Sequence, residues 1–157
     1  MNMHTEAQKA YTAGVLDGEG SISIAINRTA KYRKINYVVR IGNTNLEMLK
    51  MIQQWFGGFI SQDKKPDPRR RHAMYRLIFV SLKADRLLEE ILPYLIVKKG
   101  KAQAFIKLRR MRRESYAKHK EVWKRDAITG RYIHAGGILY TQEELAILNS
   151  FQTREVK

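Results

Sequence analysis

Two carboxylates, Asp17 and Glu19, each followed by a glycine in the run Asp17-Gly18-Glu19-Gly20, are the residues of this chain best placed to do chemistry. The stretch before them has helical spacing, so both acids fall at a helix's carboxyl end. The macrodipole there is already negative, and further negative charge is unfavourable unless a cation compensates. A divalent cation supplies that compensation. The chain has no cysteine, which excludes disulfides and thiolate metal sites and leaves oxygen or imidazole ligands. Oxygen ligands favour Mg²⁺ or its relatives, which activate water and neutralise charge developing on a phosphoryl group. The four histidines, His4, His72, His119 and His134, are scattered without metal spacing and read as surface residues.

The elements that must position these acids follow from periodicity. Thr5-Glu6-Ala7-Gln8 is a capping-box pattern, and the residues after it fit a helix to about Asp17. Ala10, Ala13, Gly14 and Asp17 share one stripe of that helix, and the small side chains among them admit a second helix at close range. Gly18 and Gly20 break the helix. Ser21 to Arg28 then alternates polar with apolar at strand period, and Lys34 to Gly42 repeats the alternation with Ile35, Tyr37, Val39 and Ile41 on one face. Asn45 caps a second helix through Phe56, ended by Gly57-Gly58. A second strand pair, Phe59 to Asp63 and Met74 to Ser81, brackets a polar loop holding Arg69-Arg70-Arg71. Helices over about Lys83 to Leu92 and Gly100 to Tyr116 follow. The order is α+β, an αββαββα core with helices on one face of an antiparallel sheet. This core is expected over residues 1–118. An appendix over 119–157 carries a turn at Ile128 to Tyr132 and a short helix from Thr141 to Phe151, packing on the core or adding contacts. Trp55 and Trp123 are assigned to packing.

Thirty Lys and Arg against fifteen Asp and Glu leave a formal charge of +15, a positive field that draws in polyanions. Nucleic acid is the first partner to consider. Membrane surface is set aside because the apolar residues are dispersed over many short periodic segments and form no single basic amphipathic helix. The opening residues lack the layout of a secretory signal, so an intracellular protein is expected. By parity the uncovered sheet face holds Ser21, Ser23, Asn27, Lys34, Asn36, Arg40, Ser61, Asp63 and Arg76, with Arg28 closing the first strand. These are hydrogen-bonding types mixed with positive charge, suited to phosphates and base edges in a DNA groove. A plain solvated sheet face is the other reading of the same pattern. Arg69, Arg70 and Arg71 form a phosphate-gripping loop tip or a solvated charge run.

Thr12-Ala13-Gly14-Val15-Leu16-Asp17-Gly18-Glu19-Gly20, with the strand Ser21-Ile22-Ser23-Ile24 after it, resembles the LAGLIDADG signature of homing endonucleases. The order of elements matches that family's fold along nearly all of residues 5–115. One copy of the motif implies a homodimer, pairing the first helix with its symmetry mate through Ala10, Ala13, Gly14 and Asp17. The resemblance implies a saddle of two sheets in the major groove of double-stranded DNA. It further implies a long, nearly palindromic target, staggered cuts with 3′ overhangs, and an intron-encoded origin. It makes Glu19 the metal ligand, with the backbone carbonyl of Gly18 beside it, and Asp17 a tie between the paired helices. Glu stands where the family more often has Asp. By the same resemblance Asn43 in Ile41-Gly42-Asn43-Thr44-Asn45 is the polar residue near the active site. Lys98 in Leu92-Pro93-Tyr94-Leu95-Ile96-Val97-Lys98 is its basic residue, with Lys99 and Lys101 as substitutes. Mg²⁺ is the expected cofactor, Mn²⁺ its replacement, and Ca²⁺ an ion that binds without cleavage. The host compartment is an organelle, chloroplast or mitochondrion, or a prokaryotic cytoplasm. The alternatives are an RNA-binding intron maturase and a non-catalytic DNA-binding regulator on the same fold.

Overall fold

In a computed structural model, the described residues are 4–27, 34–62, 73–118, 123–125, 132–134 and 140–152. Helix α1 spans Glu6–Glu19 and opens with the reciprocal cap its sequence predicts. Gln8 N donates to Thr5 Oγ1 (3.2 Å) and Thr5 N to Gln8 Oε1 (2.9 Å). The helix continues through Gly18 to Glu19, beyond the expected end near Asp17, because Gly20 N still finds the Leu16 carbonyl. Gly20 is dictated by close approach: a Cβ there would lie 2.2 Å from Leu16 Cδ1 and 2.6 Å from its carbonyl oxygen. The chain therefore turns directly from α1 into β1 (Gly20–Asn27).

β1 pairs antiparallel with β2 (Lys34–Asn43), Gly20 facing Ile41 and Asn27 facing Lys34. Helix α2 (Leu46–Phe56) is capped by Asn45, whose Oδ1 accepts from Met48 N at 3.0 Å. It ends in Gly57 and Gly58, at φ 77° and 89°, left-handed values that favour glycine. β3 (Phe59–Gln62) and β4 (Tyr75–Val80) complete a sheet of order β1-β2-β4-β3, every pair antiparallel. Helix α3 (Leu82–Ile91), a 3-10 turn at Leu92–Tyr94, and helix α4 (Lys99–Lys118) follow. The element order is the expected αββαββα.

Alternation decides which face of the sheet is covered. Ile22 and Ile24, Tyr37, Val39 and Ile41, and Leu77 and Phe79 are buried with Leu16, Leu49, Ile52, Leu87, Leu88, Ile91 and Phe105. Arg40 and Arg76 point to the open side and are exposed. The chain forms two compact units, residues 1–106 and 107–157, so that α4 contributes to both, whereas the sequence places a boundary at the helix's end.

The second unit contains β5 (Trp123–Arg125) paired with β6 (Tyr132–His134), and α5 (Gln142–Gln152). The hairpin is a strand pair that sequence reasoning reduced to its turn. Glu144 serves twice here: it accepts from Thr141 N at 2.8 Å as a capping-box partner, and it faces Arg112 of α4 at 3.6 Å with both residues buried. Arg112 also lies over the Tyr140 ring, 4.3 Å from its centroid. No helix among the described residues is long and apolar enough to cross a membrane.

Candidate active site

The two acids at the end of α1 have different surroundings. Asp17 Oδ2 accepts from Ile96 N (2.7 Å) and Val97 N (3.2 Å), and Oδ1 accepts from Lys98 N (2.8 Å). Three successive amides just before α4 thus converge on one carboxylate. Burial opposes ionisation of Asp17, but the backbone donors of Ile96, Lys98 and Val97, together with the Lys98 charge, outweigh it. The carboxyl is held below its ordinary range. The Lys98 ammonium in turn donates to the Asp17 backbone carbonyl. A cation is thereby fixed at the negative pole of α1, where it offsets the helix dipole.

Glu19, two residues on, is the last residue of α1 and exposed, with no hydrogen bond or ion pair among the described residues. Of the two acids one is fully compensated inside the chain and the other is left open. Because α1 ends at Glu19, the carbonyls of Gly18 and Glu19 have no intrahelical partner. A carboxylate and a neighbouring carbonyl are hard oxygen donors that fit Mg²⁺, which accepts few protein ligands and completes its shell with water and phosphate oxygens. No three His, Cys, Asp or Glu residues that could hold a metal ion come together among the described residues.

Asn43 reaches this end of the sheet through register: Gly20 faces Ile41, so Asn43 lies where α1 passes into β1. Its Oδ1 accepts from Asn45 N at 2.8 Å, shaping the turn into α2. The fold therefore brings Asp17, Gly18, Glu19, Asn43 and Lys98 to one end of the sheet. On the open face Ser23 Oγ donates to the Val38 carbonyl (3.2 Å) and accepts from an Arg40 guanidinium nitrogen (3.2 Å). Ser21 faces Arg40, and Ser61 faces Arg76, across the strands; Asn36 is exposed on the same side. Arg28, Asp63, Arg69, Arg70 and Arg71 lie outside the described residues, and Asn27 and Lys34 are placed only by their strand pairing.

One expected interface residue is corrected. Ala13 is fully buried and turns toward the chain's own core, so it is not on the bare face of α1. That face is made by Ala10, Gly14 and Gly18, all exposed, and a Cβ built on either glycine would meet nothing within 4 Å. Asp17, expected as a tie between paired helices, has its carboxylate occupied within the chain. Nothing in the sequence signals this, because its donors are some eighty residues away. His4, read as a surface residue, is clamped between Glu90 Oε2 (2.7 Å) and the Trp55 carbonyl (2.6 Å) and lies on Phe56. It anchors the start of α1 to α2 and α3.

Comparison with known proteins adds the following. No curated protein sequence matches. Among solved structures, the homing endonuclease I-CvuI, in complex with a DNA target, is similar at 17% identity and a TM-score of 0.58, over 95% of this chain and 97% of that one. The archaeal intron-encoded homing endonuclease I-Vdi141I, complexed with DNA, is similar at 16% identity and a TM-score of 0.58, over 94% and 98%. The group I intron-encoded homing endonuclease I-CeuI, complexed with DNA, is similar at 16% identity and a TM-score of 0.60, over 100% and 72%. At these identities the likeness concerns the fold. The sequence profile described as LAGLIDADG endonuclease matches residues 12–110, which runs from the motif helix into α4 and covers more than half of the chain; the protein belongs to the LAGLIDADG endonuclease family.

Proposed function

We propose that two copies of this chain form a homodimer that hydrolyses both strands of a long, nearly palindromic double-stranded DNA target, with Mg²⁺ as cofactor. The reading rests on the contrast between the two acids of one motif. Asp17 is compensated from within by three amides and Lys98, while Glu19 stands exposed at the same helix end with no ion pair among the described residues. The Glu19 carboxylate and the Gly18 carbonyl would hold the metal, which when bound acidifies a water and neutralises charge on the phosphorane. In hydrolysis a water oxygen bonds to phosphorus as the bond to the leaving sugar oxygen breaks. Lys98, fixed by its contact with the Asp17 carbonyl, stabilises the negative charge that develops on the phosphate. Asn43 orders the surrounding water through its amide. Arg40, Arg76 and their serine neighbours on the open sheet hold backbone and base edges in the major groove.

Dimerisation is supported by the bare face of α1. A glycine inside a helix, as at Gly14, costs about 1 kcal/mol relative to alanine. Among the described residues no packing requires Gly14 or Gly18, since a Cβ at either would meet nothing within 4 Å. A second α1 related by a two-fold axis uses that face and brings a second Glu19 beside the first, one for each DNA strand. Staggered cuts with 3′ overhangs, an intron-encoded origin, and action in an organelle or a prokaryotic cytoplasm complete the proposal.

The test is Mg²⁺-dependent cleavage of a plasmid library of randomised two-fold-symmetric targets, with wild type and Glu19→Gln compared at matched salt. Cuts at a defined sequence, lost in Glu19→Gln while binding persists, are the expected result. Binding by both proteins without cutting by either would overturn the enzymatic reading.

A further inference from the structure

The open face of the sheet is not uniformly polar. Across its centre the register aligns Ser21, Arg40, Ile78 and Phe59 in one row, and Ser23, Val38 and Val80 in the next. Three of these seven side chains, Phe59, Ile78 and Val80, are apolar, reach the surface and adjoin one another, while Val38 beside them is buried at 7% exposure. Phe59 is 49% and Val80 42% exposed. Their neighbours in sequence, Leu77 and Phe79, already fill the covered face, so the apolar strip is not explained by core formation. An exposed, contiguous apolar strip on a face that solvent would keep polar marks a contact surface.

The residues around the strip select its occupant. Arg40 lies in the same row, held by Ser23. Arg76 sits on β4 two residues before Ile78, and the chain's net charge is +15. A polyanion belongs there. The major-groove edges of DNA bases carry one apolar group, the C5-methyl of thymine, which aliphatic and aromatic side chains contact directly. We infer that Phe59, Ile78 and Val80 form a thymine-methyl reader, making at least one symmetric pair of thymines in each target a specificity determinant. The inference rests on the DNA-cleaving reading and deepens it. Uracil lacks this methyl, so the same strip favours DNA over RNA as the substrate.

The test starts from a duplex selected out of the two-fold-symmetric library. Each thymine is replaced in turn by deoxyuridine, which removes the methyl and leaves every hydrogen-bonding group in place. At one symmetric pair wild type should lose affinity by about fourfold for one copy and about fifteenfold for both. Val80→Thr and Phe59→Thr both place a β-branched residue on an exposed strand position away from the core. At least one should bind the thymine and deoxyuridine duplexes equally. If deoxyuridine changes nothing at any position while the duplex is still bound and cut, the inference falls and the proposed function stands. If wild type discriminates but both variants discriminate as well, the methyl is read elsewhere and the inference falls. If no duplex is bound, the DNA reading fails and the inference with it.

Discussion

Asp17→Asn should loosen the segment before α4 and with it Lys98. The carboxylate accepts three amide hydrogen bonds, at 2.7, 3.2 and 2.8 Å. Bonds to a charged acceptor contribute about 1.5–3 kcal/mol each. Asparagine keeps one acceptor oxygen and turns an NH₂ toward the remaining amide. Asp17 is only partly buried and its three bonds are not independent, so about 2 kcal/mol is the expected loss at neutral pH after screening. In urea this lowers the midpoint by roughly 1 M. Trp55 fluorescence in a Trp123→Phe background reads it. The pH dependence carries a definite sign. The folded carboxyl titrates below its ordinary value of 3.8, so its stabilisation is fully present above that value and is lost as pH falls through the folded one. The difference between wild type and Asp17→Asn is therefore largest near pH 7 and shrinks below about pH 4. In the same variant cleavage at saturating DNA should drop on the order of tenfold or more with target affinity retained, because the backbone that carries Lys98 is loosened even though the Asp17 carbonyl its ammonium contacts is kept. A variant as stable as wild type at pH 7, or a deficit that grows on acidification, would refute this role of the Asp17 carboxylate.

Glu19→Gln should abolish Mg²⁺-dependent cleavage by at least about a hundredfold with DNA binding intact, measured by gel shift and plasmid nicking. In the same assay Mn²⁺ should replace Mg²⁺, and Ca²⁺ should support binding without cuts. Gly14→Leu should raise the helix stability of the monomer by roughly 0.5–1 kcal/mol in a thermal melt and abolish the dimer in sedimentation equilibrium. A dimer as tight as wild type would place the interface elsewhere. Gly20→Ala should cost about 2–4 kcal/mol, since its Cβ would press on the Leu16 carbonyl at 2.6 Å, and equal melting temperatures would contradict that. Glu144→Ala should destabilise the second unit by about 1–3 kcal/mol, by removing both the carboxylate that faces the buried Arg112 and the cap acceptor of Thr141 N. Hydrogen exchange over α5 is the readout.

Most of the framework was legible because each step rests on local pattern. Strand parity separated Leu77 and Phe79 from Arg76, and capping residues Thr5 and Asn45 marked where α1 and α2 begin. The end of α1 was placed short because Gly18 reads as a breaker, whereas the helical bond from Gly20 N to the Leu16 carbonyl carries the helix on to Glu19. Ala13 was misassigned because a stripe drawn from spacing has a width. Only packing decides which edge of it turns inward, and Ala13 lies on the buried side with Thr12 and Leu16. The β5–β6 hairpin escaped because its strands are three residues each, too short for alternation to show.

By itself the sequence determined the fold class, the position of the motif at a helix end, the positive charge and the identity of the open-face residues. All of these follow from the period of side chains along the chain and from composition. Only the tertiary structure decided the division of labour between the two acids. Asp17 and Glu19 are equivalent in the sequence pattern, acids beside glycines at one helix end. What separates them is a set of amides at Ile96, Val97 and Lys98 that reaches Asp17 and leaves Glu19 exposed, and no local pattern encodes a contact between such distant segments.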